Sequence, residues 1–139
     1  MRYLAEPFIL SALKQGRAVE QFLGPARGSD QRGVSYVEIR PVQTTYEVYL
    51  HSVLDTEPQT YDLGSLPALF DSHEEDFGLL VATTIDPAAA LDAATDRTGA
   101  LPERWMNQSM AGDEYRDYVS AGRPDQAPSG RPWPTPLSS

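Results

Sequence analysis

The chain has 139 residues, 40% of them hydrophobic, no cysteine and a formal net charge of −9, which suits one domain with a modest core. The absence of cysteine excludes disulfides, thiolate metal sites and a cysteine nucleophile, and two histidines without tight carboxylate spacing lead us to expect no metal site. No apolar run approaches the roughly 20 residues of a membrane span, and the N-terminus lacks a basic region followed by an apolar core, so the expected location is the cytoplasm, away from any membrane.

Residues Ala5 to Phe22 read as a helix. Phe8, Ile9, Ala12, Leu13, Val19, Phe22 and Leu23 recur at spacings near three and four. Pro7 suits a first turn, Gly16 weakens the middle by about 1 kcal/mol relative to alanine, and Gly24-Pro25 supplies the stop. The stripe fits a core or a dimer interface. Ala26 to Gly33 is a polar, glycine-rich loop without the spacing or the Gly-Lys-Ser/Thr ending of a phosphate-binding loop.

Val34 to Arg40 and Thr44 to Asp55 read as two strands, rich in β-branched and aromatic residues. With Pro41 ending the first, they predict an antiparallel hairpin. For Val37 and Ile39 to share a face with Tyr46 and Val48, the loop must hold an even number of residues, two or four. Tyr36, Glu38 and Arg40 then join Glu47, Tyr49 and His51 on the other face. An imidazole between a phenol and carboxylates is a candidate site, although a wet sheet face carries the same letters.

Glu57 to Asp76 is irregular apart from a helical turn near Leu66–Phe70, with Leu63, Leu66, Leu69 and Phe70 capping the core. His73-Glu74-Glu75-Asp76 crowds titratable groups, so that repulsion raises a carboxyl pKa; an exposed acidic turn looks the same. From Arg40 to Arg97 there is no intervening lysine or arginine, while Glu47, Asp55, Glu57, Asp62, Asp71, Glu74, Glu75, Asp76, Asp86, Asp92 and Asp96 all fall there. Phosphate binding needs clustered cations, so nucleic acid is excluded as a partner; a basic protein or a lysine-bearing peptide fits.

Gly78 to Ile85 is a near-continuous apolar run and predicts a central strand buried on both faces. Asp86 as N-cap and Pro87 at the first helical position start a helix over Ala88 to Thr98 that Gly99 ends, with Leu91 and Ala94 inward. In Leu101 to Gln108, the Trp105 ring beside Arg104, followed by Asn107, has the makings of a peptide contact; Trp105 also fits the core. Asp113 to Ala121 reads as a short helix with Tyr115, Tyr118 and Val119 inward. Arg123 to Ser139 holds five prolines and predicts a disordered or extended tail whose Trp133 docks on a partner or a second subunit. The predicted class is therefore α+β: a small, mostly antiparallel sheet packed with an N-terminal helix and two C-terminal helices, in a single domain over 1–122.

Two stretches, Thr45-Tyr46-Glu47-Val48-Tyr49-Leu50-His51-Ser52-Val53-Leu54-Asp55 and Thr98-Gly99-Ala100-Leu101-Pro102-Glu103-Arg104-Trp105-Met106-Asn107-Gln108 running into Asp113-Glu114-Tyr115, resemble the small lysinoalanine-forming proteins of cinnamycin- and duramycin-type lanthipeptide biosynthesis. The resemblance spans roughly Tyr36 to Tyr118, and the Pro-rich tail departs from it. It implies a cofactor-free homodimeric enzyme that adds a lysine amine of a modified peptide to a dehydroalanine, with positioning supplying much of the acceleration. It carries no roles position by position. For the chemistry that the resemblance implies, our hypothesis gives His51 the proton transfer, because imidazoles titrate near neutral pH, and has Glu75 hold the ammonium or relay its proton. Tyr36, Glu47, Tyr49, Arg104, Trp105 and Asn107 then position the peptide. Two rival expectations stand beside this one: a non-catalytic acidic module of the immunity type that blocks a basic partner, and an adaptor whose working part is the Pro-rich tail.

Overall fold

In the computed structural model the described residues are 3–26, 32–55, 63, 79–127, 130 and 132–134. They form α1 (Glu6–Lys14), β1 (Val19–Ala26), β2 (Gly33–Val42), β3 (Thr45–Leu54), β4 (Leu79–Thr84), α2 (Pro87–Thr98), β5 (Met106–Asn107) and α3 (Ala111–Ser120). All strand pairs are antiparallel, in one five-stranded sheet of order β4-β3-β2-β1-β5. This is the α+β class expected, with one N-terminal and two C-terminal helices. Among the described residues, no helix is long and apolar enough to cross a membrane.

The first helix is shorter than its apolar stripe suggested. It stops at Lys14 because Gly16 takes a left-handed conformation, φ +85. The Gly16 N–H donates to Leu13 O and the Arg17 N–H to Ala12 O, the paired bonds of a Schellman cap. Val19, Phe22 and Leu23, spaced as though continuing the helix, instead belong to β1. Gly24-Pro25 lies within that strand: the register with β2 shifts between Phe22 and Gly24, and Pro25 pairs with Val34. Beyond Glu20, β5 no longer pairs with β1, so the proline falls where that strand is an edge. Pro41 likewise does not end β2. It pairs with Tyr46, beyond the Val19–Ile39 limit of β1 on the other side.

Two side-chain clusters lie on the two faces of the sheet. Ile9 and Leu13 of α1 and Ala90 and Ala94 of α2 pack with Val19, Leu23, Val37, Ile39, Val48, Leu50 and Trp105. Tyr115 and Tyr118 of α3 pack with Phe22, Val34, Tyr36, Val53, Met106 and Trp133. Helix α2 begins as its sequence dictates: Asp86 accepts the Ala89 N–H at 3.1 Å, and Gly99 closes the helix at φ +77. By contrast β4 is the outermost strand, not a central one. Leu80 is 48% exposed, because the apolar run is covered by α2 rather than by strands on both sides.

The described part of the Pro-rich segment lies against the domain. Arg123 bonds to Asp55 through Nε at 2.6 Å and Nη2 at 3.0 Å, and Trp133 is buried on Phe22 and Tyr118. Gly24 is what admits the indole: a Cβ there would fall 2.3 Å from Trp133 Cδ2, and the backbone sits at φ +87. Gly24→Ala is therefore expected to expel the ring and to cost about 3 kcal/mol, the range for loss of a buried tryptophan. A urea unfolding midpoint that does not move would show that the indole is not held there in solution.

Candidate functional site

The β2–β3 register places the charged and aromatic side chains opposite one another: Tyr36 with His51, Glu38 with Tyr49, Arg40 with Glu47. Val42 pairs with Thr45, so the loop is the two residues Gln43 and Thr44, with Gln43 at φ +55. The even loop puts these six side chains on the α3 face and the aliphatic ones on the α1–α2 face.

The six form a chain of contacts that runs from buried to open. The Tyr36 and His51 rings stack at 4.4 Å with planes 10° apart. His51 Nε2 lies 3.1 Å from Glu38 Oε1, which also accepts from Arg40 Nη2 at 2.7 Å. The Arg40 guanidinium sits 4.6 Å over the Tyr49 ring, and the Tyr49 hydroxyl donates to Glu47 Oε1 at 2.7 Å. His51 is only 8% exposed and Glu38 6%, whereas Arg40, Glu47 and Tyr49 are half-buried.

Glu20 of β1, hidden by the helical reading of that stretch, completes the cluster. It pairs across the sheet with Glu38, is buried, and accepts the Ala111 N–H at the start of α3 at 2.9 Å. No period-two signal marks it: Val19-Glu20-Gln21-Phe22 is apolar at both ends and polar between, so each face of the strand carries one apolar and one polar residue. Burial pushes the Glu20 carboxyl above the ordinary carboxylate range; backbone N–H donors from Ser109 and Ala111 pull it down, and the nearby Glu38 charge adds to the rise. Glu38 moves the other way. Burial alone would raise it, but hydrogen bonds from His51 and Arg40 and the Arg40 charge outweigh that and hold it low. Environments that push two neighbouring carboxyls apart are the usual arrangement of an acid and a base. At the open end, the hydrogen bond to Glu47 raises the Tyr49 phenol.

The other expected residues are not brought here. Trp105 is 1% exposed and belongs to the α1–α2 core, so its ring is unavailable to a peptide. Arg104 is buried and ion-paired with Glu114, and its guanidinium lies 5.1 Å over the Tyr3 ring. Asn107 is exposed on β5 and pairs with Val19, on the opposite face and three strands from His51, about 14 Å at normal spacing. Glu75 and His73 lie outside the described residues. Among the described residues no group of three or more acidic or histidine side chains is placed to hold a metal ion.

Asp55, at the end of β3, is a separate buried anchor. It accepts from the Tyr115 hydroxyl at 2.6 Å and from Arg123, and it is ion-paired with Arg32 Nε at 3.3 Å. Burial would raise its carboxyl, but the Arg123 and Tyr115 hydrogen bonds and the guanidinium charges hold it below the ordinary 3.8. Neither the contact 60 residues away nor that 68 away has a local sequence signal. Comparisons with protein-family models, curated proteins and solved structures find no match for this chain.

Two outcomes follow. His51→Ala removes a donor from Glu38, so the Glu38 carboxyl should titrate at higher pH by NMR; an unchanged titration would mean the contact is not formed in solution. Because the folded Asp55 value is depressed, its stabilisation is fully present above about pH 3.8 and lost as pH falls through the folded value. The difference in melting temperature between wild type and Asp55→Asn should therefore be constant above that pH and shrink below it. A difference independent of pH would deny the ion pairs.

Proposed function

We propose that the protein closes a lysinoalanine cross-link in a modified lanthipeptide, adding a lysine amine to a dehydroalanine while the α3 face of the hairpin holds the peptide. What carries this reading is the hydrogen bond between Glu38 and His51 beside the open Tyr49–Glu47–Arg40 end. A base and an acid are needed, and the cluster offers both.

The reaction is balanced without an oxidant or reductant. The lysine nitrogen forms a bond to the dehydroalanine Cβ, the alkene electron pair moves toward Cα and its carbonyl, the ammonium gives up a proton and Cα receives one. Glu47 attracts the ammonium at the open end. His51, oriented by Glu38 and backed by Tyr36, moves the proton, and Tyr49 and Arg40 position the peptide. Glu75 holds the ammonium or relays its proton. Orientation alone can supply about 7–11 kcal/mol in favourable intramolecular cases, so little further machinery is required. A second copy of the chain, as the resemblance implies, belongs to the same proposal.

One observation favours a second reading, a non-catalytic acidic module for a basic partner: His51 is 8% exposed and its neighbours already satisfy one another. The two separate in one experiment. The purified protein is incubated with a dehydroalanine-containing precursor, and closure is read by tandem mass spectrometry as lost fragmentation between the joined residues at unchanged mass. The enzyme reading expects closure above the protein-free control, reduced on the order of 100-fold in His51→Ala and lowered in Glu75→Ala. No closure with wild type, or full closure in both variants, sinks these assignments. The binding-module reading instead expects salt-sensitive affinity for a basic protein, indifferent to His51→Ala.

A further inference from the structure

Trp133 occupies a seat that belongs to the domain. Gly24 forms the floor, open only because it lacks a Cβ. Phe22 and Tyr118 form the walls, each meeting the indole edge-on, at 5.6 Å and 5.7 Å. The root of the segment is held independently, where the buried Asp55 carboxylate grips Arg123. Between the two anchors the segment supports itself. Gln126 bridges Pro132, Gly130 turns at φ +83 with its N–H on Ala127 O at 2.8 Å, and the indole N–H donates to Pro124 O at 3.0 Å.

The arrangement has the features of a bound peptide rather than of an element of the sheet. A large aromatic anchor fills a fitted pocket, a charged anchor sits on a desolvated partner, and prolines stiffen the backbone between them. The described residues of the segment add no strand to the sheet and no helix. None of Gly24, Phe22, Tyr118 or Asp55 takes part in the Glu38–His51 cluster.

We propose that residues 123–134 are an intramolecular ligand: the groove between β1 and α3 is a binding site for a proline-rich peptide carrying an arginine and a tryptophan, occupied in cis by the chain's own segment. Such a tethered ligand competes with any free one. With an effective concentration of about 1 mM and an intrinsic Kd of about 10 µM for the tethered segment, the apparent affinity of a free peptide is weakened by about 100-fold.

The test uses the full chain. A fluorescent synthetic peptide spanning Arg123 to Ser139 is titrated into wild type and into Trp133→Ala, and anisotropy is read. Saturable binding to Trp133→Ala, at least about ten-fold tighter than to wild type, is expected, together with its loss when the tryptophan of the peptide is replaced by alanine. No binding to a Trp133→Ala protein with the wild-type circular dichroism spectrum overturns the proposal. So does equal affinity for wild type and variant, or equal binding of the tryptophan-free peptide. If Trp133→Ala does not fold, Arg123→Gln, which loosens the root and leaves the indole seat intact, takes its place. It must then bind the peptide more tightly than wild type, and failure to do so overturns the proposal equally.

Discussion

The two-residue turn at Gln43 and Thr44 decides which side chains of β2 meet which side chains of β3, and most of the molecule follows from that choice. Ten residue pairs run in one register from Gly33–Leu54 to Val42–Thr45. A slip of β3 by one residue would turn Val48 and Leu50 away from α1 and α2 and put Tyr49 and His51 beneath them. Both clusters would fail together. The left-handed backbone at Gln43 is a local strain that holds ten cross-strand pairs, and the Thr45 hydroxyl on Val42 O at 3.0 Å closes the same turn.

Placing charge under α3 has an energetic consequence. Glu20, Glu38, Asp55, Arg104 and Glu114 are all at least nine-tenths buried, and each has a partner that offsets its desolvation: a helix N-terminus, an imidazole, a pair of guanidiniums, a carboxylate. Removing one partner from such a pair leaves a buried charge uncompensated, at a cost of roughly 3–5 kcal/mol, while the intact pair adds little net stability. Tyr115 on Asp55 and Arg123 on Asp55 tie the middle of α3 and the residues just past it to the end of β3, which no apolar contact of equal size does with the same directionality.

The hairpin and α2 were legible in the sequence because their signals are local: alternation of period two with an even loop, and Asp86-Pro87 ahead of an alanine run closed by Gly99. The stretch from Ala5 to Phe22 was not, because an apolar spacing of three or four continues by chance from α1 into β1. Gly16 looked like a weak point when it was the cap, and Glu20 was lost with the strand that carries it. The Gly78 to Ile85 run revealed its strand but not its place in the sheet, since covering by a helix and by neighbouring strands produce the same letters. The cluster around His51 was half visible, on β2 and β3. Its third carboxylate and the burial of the imidazole depend on β1 and α3, which approach from far along the chain. Trp105 and Arg104 show the converse: residues with a recognition-like flavour that the core absorbs.

The outermost strand has a colloidal consequence. β4 reads Leu79-Leu80-Val81-Ala82-Thr83-Thr84, with no charge and no proline, and among the described residues no strand pairs with its outer side. Proteins usually blunt such an edge with lysine, proline or a covering element. Here the whole-chain charge of −9 does that work at a distance, by keeping copies of the molecule apart. Near pH 4.5, where that charge vanishes, the repulsion disappears while the edge stays, and strand-to-strand stacking along β4 becomes the natural route of precipitation.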